Sequence, residues 1–110
     1  MQGNDVLEGL YKVVLDRKAH PQEGSYTCYL FDKGLDKILK KVGEESAETI
    51  IAAKNGVQAD TVGEISDLIY HLMVLMADQD IPLAAVLEEL ERRSHKIGNL
   101  KQFHVSDHNT

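Results

Sequence analysis

An all-α bundle of four to five helices is the expected fold, and three observations carry it. Apolar residues recur at intervals of three and four along most of the chain, the spacing that keeps side chains on one face of a helix. No segment alternates apolar and polar residues for long, as a half-buried strand would. Aromatic residues are 5% of the 110 and Trp is absent, so the apolar material is mainly Leu, Ile, Val and Ala, which suits helices packed side by side. One domain accounts for this length, and 43% hydrophobic with 27% charged residues are globular proportions.

The first helix is expected from about Asp5, carrying Val6, Leu7, Leu10, Val13 and Val14. Asp5 and Glu8 have the spacing of a capping box, and Pro21 closes the helix near His20. Residues 21–25 form a loop, with Ser25 or Thr27 as the next cap. A second helical region runs from about Tyr26 to Lys54, with a bend or break at Gly34. Its stripe is Leu35, Ile38, Leu39, Val42, Ser46, Thr49, Ile50 and Ala53. Asn55-Gly56 stops it, since both residues tolerate the left-handed conformation.

A third helix is expected from Asp60 or Thr61 to about Asp78, with Val62, Ile65, Leu68, Ile69, Leu72, Leu75 and Met76 facing the core. The last begins at Ile81-Pro82, where Pro suits a first turn. It carries Leu83, Val86, Leu87 and Leu90 and ends near Lys96 or Gly98. Residues 1–98 thus make the domain and residues 99–110 a polar tail. Val74 lies opposite the expected core stripe of the third helix, while Leu72, Met73, Leu75 and Met76 crowd the rest. One short chain has too few helices to cover that surface, so the core is expected to be completed by dimerisation.

Eighteen acidic and 12 basic residues give a net charge of −6. Nucleic-acid binders neutralise phosphates with basic patches, so direct binding of nucleic acid is not expected. Cys28 is the only cysteine, which rules out an intrachain disulfide and fits a reducing compartment. The opening MQGNDVLEGLYK lacks the apolar stretch of a secretory signal. The longest apolar run, residues 68–77, contains His71 and is about half the ~20 residues of a membrane span. A cytoplasmic protein without membrane contact is expected.

The acidic residues are not evenly spread. At about 100° per residue, Glu45 and Glu48 lie roughly 60° apart on the second region, and Glu44 joins them in one ridge. Glu45 stands about 80° from the apolar stripe and borders the core. Glu64, Asp67 and His71 fall within a wedge of about 60° on the third helix. A short connection makes these helices antiparallel neighbours, so Glu45, Glu48, Glu64 and Asp67 can converge between them. Four like charges at the rim of a core are costly. A hard cation such as Mg²⁺ resolves the cost, because it takes carboxylate oxygens and adds phosphate oxygens readily.

Blander readings stand beside this one. Glu44, Glu45 and Glu48 also read as a solvated face paired with Lys40 and Lys41, Glu64 as the end of a capping box from Thr61, and His71 as a satisfied core or rim histidine. Competing motifs are absent from the sequence: there is no Glu-x-x-His, no HExxH, no Walker-type loop, no EF-hand loop and no nucleophile elbow.

Glu44-Glu45-x-x-Glu48 followed by Glu64-x-x-Asp67 resembles the EExxE…ExxD signature of the all-α nucleoside triphosphate pyrophosphohydrolases, the superfamily of the MazG-like enzymes and dimeric dUTPases. Ser25-Tyr26-Thr27 with Leu30 and Gly34, the run Lys41-Val42-Gly43-Glu44-Glu45, the stretch Asp67-Leu68-Ile69-Tyr70-His71-Leu72 and the segment from Val86 to Arg92 resemble the phosphoribosyl-ATP pyrophosphohydrolase family of histidine biosynthesis. The resemblance spans about residues 5–98.

That resemblance implies a MazG-like bundle and Mg²⁺-dependent hydrolysis of phosphoribosyl-ATP to phosphoribosyl-AMP and pyrophosphate in a cytoplasmic homodimer. Glu45, Glu48, Glu64 and Asp67 match the metal-binding positions, and Glu44 the first Glu, for water activation or support from outside the ligand set. Lys37, Lys41, Arg92, Arg93 and Lys96 are candidates to hold phosphates, each equally readable as a surface residue. Tyr26 and His71 are candidates to touch the nucleotide, with core or loop-anchoring roles open to both. A MazG-like housekeeping enzyme is the alternative, and a non-enzymatic helical interaction module a third reading. Without the five motif carboxylates, 13 acidic residues face 12 basic ones, so the acidic surplus is concentrated in the motif.

Overall fold

The computed structural model describes residues 3–95, which form five helices: α1 (Gly3–Ala19), α2 (Tyr26–Lys33), α3 (Leu35–Asn55), α4 (Gln58–Asp78) and α5 (Leu83–Ser94). Lys96, Gly98 and the expected polar tail lie outside the described residues.

Most boundaries follow from local chemistry. Ser25 caps α2, its hydroxyl accepting from the Cys28 N–H at 3.2 Å. Gly34 separates α2 from α3 at φ 91° and ψ −173°, a conformation that side-chain-bearing residues avoid, and its N–H closes α2 on the Leu30 carbonyl. Gly56 ends α3 in the left-handed region. Three starts differ from expectation, one of them because Pro82 is the extended N-cap of α5 and not part of its first turn. Helix α1 begins at Gly3, which puts Asp5 inside the first turn, where its charge meets the helix dipole instead of capping it. Helix α4 begins at Gln58, so Thr61 already lies within it and donates back to the Val57 carbonyl at 3.3 Å. A capping box from Thr61 is therefore absent, and Glu64 is released from that role.

The turn Gly56-Val57 folds α4 back along α3, and this pair makes the most extensive helix packing in the molecule. Helices α1 and α2 cover one side of it, burying Tyr11, Val14, Leu30, Ile38, Met73, Val74 and Ala77, with Leu83 at the start of α5. Tyr11 donates to the Ile81 carbonyl at 2.5 Å and Lys18 to the Ala77 carbonyl at 2.7 Å, which ties α1 to the α4–α5 turn. Helix α5 meets this core through Leu83 and Leu87, leaving Val86 and Leu90 exposed.

The expected core stripes need correction. On α4, Val62, Ile65, Ile69 and Leu72 are exposed, and the inward face is Met73, Val74 and Ala77. On α3, Leu35, Leu39 and Ile50 are exposed, while Ile38, Glu45 and Ala52 are buried. Both helices carry apolar residues on two faces. Periodicity reports the richer face, and here that face points away from the chain's own core.

Candidate metal centre

The buried line of α3 is Ile38, Glu45 and Ala52, spaced by seven and therefore on one face. Glu45 thus occupies a core position and is only 6% exposed. Glu48 follows one turn later, and Glu64 reaches across from α4. Each of the three offers an oxygen within 4.8 Å of the others. Glu45 Oε2 and Glu64 Oε2 are buried and accept no hydrogen bond.

Electrostatics records the crowding. Burial raises the Glu45 carboxyl above the ordinary range, with the charges of Glu48 and Asp67 adding to it. Glu64 is pushed up to about 7, first by sharing a hydrogen bond with Glu48, then by burial and by the charges of Glu48, Glu45 and Asp67. Two carboxyls share a hydrogen bond only when one of them is protonated, so crowding of these three groups opposes full ionisation of the cluster. Asp67 is exposed and stands outside the triplet, yet it is near enough to act on both Glu45 and Glu64. A buried carboxylate oxygen with no donor, in a group of hard oxygen ligands, suits a divalent cation such as Mg²⁺ or Mn²⁺.

A groove of about 430 Å³ opens beside the cluster. Glu48 and Glu64 line its inner end, and Ile51, Ala52, Asn55 and Asp60 its sides. Sequence reasoning did not single out Asn55 and Asp60. Their signal was the interval from Glu48 to Ala52 to Asn55 on α3 and from Asp60 to Glu64 on α4, which continues each ridge by one turn.

The other candidates have separate placements. Glu44 lies outside the triplet, its Oε1 3.3 Å from Lys41 Nζ, which also lies 3.7 Å from Glu45 Oε1. His71 is 4% exposed. Its Nδ1 lies 2.7 Å from the Asp67 carbonyl, which only accepts, so Nδ1 donates, and its Nε2 is hydrogen-bonded to the Tyr26 hydroxyl at 2.9 Å. The histidine is thus satisfied within the protein. Thr27 and Tyr70 form a second hydrogen bond between α2 and α4 alongside it. Lys37 lies 5.9 Å from the centre of the Tyr29 ring. Arg92 and Arg93 both bond Glu89 on α5, and Lys96 lies outside the described residues. A wider hollow of about 700 Å³ at the α1–α2 loop includes Tyr26 and Tyr29 but none of the clustered carboxylates.

The family model for phosphoribosyl-ATP pyrophosphohydrolase matches residues 7–94. The phosphoribosyl-ATP pyrophosphatase of Clostridium botulinum (strain Kyoto / Type A2) is 56% identical, over 92% of this chain and 92% of its own length. Proteins of the same name from Clostridium novyi (strain NT) and Listeria monocytogenes serotype 4a (strain HCC23) are 52% and 56% identical, over 92% and 87% of this chain and 92% of their own length in each case.

Proposed function

The chain belongs to the phosphoribosyl-ATP pyrophosphohydrolase family, and from that premise we propose that it hydrolyses phosphoribosyl-ATP to phosphoribosyl-AMP and pyrophosphate, the second step of histidine biosynthesis. The observation that carries the reading is the carboxylate triplet with its buried, unpartnered oxygens on Glu45 and Glu64. Glu45, Glu48 and Glu64, joined by Asp67 at the rim, are the residues we assign to hold Mg²⁺. When bound there, Mg²⁺ would supply positive charge to the phosphates and would lower the pKa of an attacking water.

The chain's own residues do the rest. Glu44 lies outside the triplet but next to Glu45 in sequence, and is the carboxylate assigned to take the proton of the water. Lys41, beside both, is the cation nearest the site for a phosphate oxygen. The groove past Glu48 and Glu64 gives an extended nucleotide room on the far side of the cluster. Tyr26 and His71 hold α2 against α4 next to Asp67 and so brace the site's wall.

We further assign a homodimer. The outward stripe of Val62, Ile65, Ile69 and Leu72, with Leu35, Leu39 and Ile50, is apolar surface that a second copy would cover. No described helix is long and apolar enough to cross a membrane, and the single unpaired Cys28 agrees with a cytoplasmic location.

Incubation with phosphoribosyl-ATP and Mg²⁺, scored by pyrophosphate release, tests the activity. Turnover of phosphoribosyl-ATP well above that of dUTP and dCTP is expected. Equal or greater turnover of dUTP or dCTP would move the protein to the MazG-like housekeeping enzymes. Glu45→Gln and Asp67→Asn with unchanged Mg²⁺ affinity would leave only an interaction module.

A further inference from the structure

Lys41 stands between two demands. Its ammonium lies 3.3 Å from Glu44 Oε1 and 3.7 Å from Glu45 Oε1. Glu45 is shared: Oε1 faces the lysine, while Oε2 is buried without a partner in the group formed with Glu48 and Glu64. A divalent cation held by Glu45, Glu48 and Glu64 would sit close to a cation already paired with the same carboxylate. Like charges at such separations repel by about one to two times thermal energy once solvent and salt screen them. Lysine is suited to yield, because it is a compact charge on a flexible four-carbon stem. This side chain is a quarter exposed and has room to move. The incoming ligand is a chain of phosphates, the strongest competitor for an ammonium.

We propose that Lys41 is an exchangeable counter-ion. It competes with the divalent cation for Glu45 and, once displaced, bonds a phosphate oxygen of the nucleotide, so that one side chain couples metal loading to phosphate binding. The inference rests on the metal-site reading above. It differs from a plain phosphate-binding lysine in the sign of its effect on the metal: removing Lys41 should help the metal and harm the phosphate.

Titration calorimetry on the whole protein at fixed pH and ionic strength tests both arms. The probes are MgCl₂ alone and inorganic tripolyphosphate added to Mg²⁺-saturated protein. For Lys41→Met, the Mg²⁺ dissociation constant should fall about three- to tenfold, the scale of losing one screened like charge. The tripolyphosphate dissociation constant should rise about tenfold, the scale of one charge-assisted hydrogen bond. Lys41→Arg keeps the charge and should shift both constants less than the neutral variants do. Lys41→Gln provides a second neutral variant should the Met form be poorly folded. Mg²⁺ affinity that is unchanged or weaker in both neutral variants overturns the exchange, as does unchanged tripolyphosphate affinity. A wild-type protein that binds no Mg²⁺ overturns the metal site and the exchange together. A wild type that binds Mg²⁺ and turns over phosphoribosyl-ATP, with neutral variants that shift neither constant, overturns the exchange alone.

Discussion

Glu45→Gln should make the protein more stable without metal and less responsive to it. Glu45 is 6% exposed in a core position between Ile38 and Ala52, and its Oε2 has no donor. A buried acceptor left unpaired costs about 1–3 kcal/mol, and the like charges of Glu48 and Asp67 add to that cost. An amide has the same shape, lacks the charge and can donate to the Glu48 or Glu64 carboxylate. The expected gain in EDTA is therefore about 1 kcal/mol or more, a rise in Tm of about 4–8 °C per kcal/mol for a domain of this size.

Mg²⁺ reverses the order. At a hundred times its Kd, a ligand of the folded state stabilises by about 2.7 kcal/mol, and the variant should lose most of that increment. The sign with pH is also determined. Glu64 is held at about 7 in the folded protein against an ordinary 4.5, so its contribution to metal-free stability is full below about 4.5 and is lost as pH rises through about 7. The advantage of Glu45→Gln in EDTA should accordingly be smaller at pH 5 than at pH 8. Thermal melts at one protein concentration, with EDTA or excess MgCl₂ and at both pH values, supply the measurement. A variant that melts below wild type in EDTA, or keeps the wild-type Mg²⁺ shift, would refute the reasoning.

Ile38→Ala empties a fully buried site at the α1–α2–α3 junction and should cost about 2–5 kcal/mol, read as a lower urea midpoint; a loss under 1 kcal/mol would deny Ile38 its core role. Tyr26→Phe keeps the ring and removes only the hydroxyl that satisfies buried His71, so stability should fall by about 1–3 kcal/mol, and an unchanged midpoint would show that Nε2 finds another partner. Glu89 is held down at about 2 by its hydrogen bonds to Arg92 and Arg93, so the stability that wild type holds over Glu89→Gln should be present above about 4.5 and vanish as pH falls through about 2; a difference that grows on acidification contradicts the pairing. Glu44→Gln should lower kcat at least tenfold with little change in Mg²⁺ affinity; a loss of metal binding instead would put Glu44 in the ligand set.

The helices and their punctuation were legible because the signals are local. Ser25, Gly34 and Gly56 each do at one position what their chemistry predicts. The starts of α1 and α4 were not, because a plausible cap residue further along drew each boundary inward, and α4 follows Val57, which supplies no side-chain cap. The carboxylate cluster was legible as two ridges, since their spacing on consecutive helices survives an error of a residue or two in the ends. The inward face was not. Summed over α3, apolar weight points through Leu35, Leu39 and Ile50, yet the chain buries the line through Ile38, Glu45 and Ala52. A pattern of hydrophobicity cannot nominate a glutamate as a core residue, and it cannot tell a face covered by the same chain from one left for another.

That misreading and the function have one cause. A side chain at position 45 in the α3 heptad line would normally be Leu or Ala, and fold stability alone favours the change, since replacing a buried charge with an apolar group of similar size is often neutral or stabilising. A glutamate there needs a counter-charge: the ammonium of Lys41 faces one oxygen, and the other, buried without a partner, is the one assigned above to the proposed cation. Glu48 and Glu64 crowd further negative charge around Glu45, which pushes the Glu64 carboxyl up to about 7. The apolar residues that Glu45 displaces from the inner seam are not missing from the sequence, because α3 and α4 carry them on their outer faces. The same exchange of charge for hydrocarbon that gathers the carboxylates therefore also leaves α3 with a buried carboxylate on its inner face and apolar side chains on its outer one.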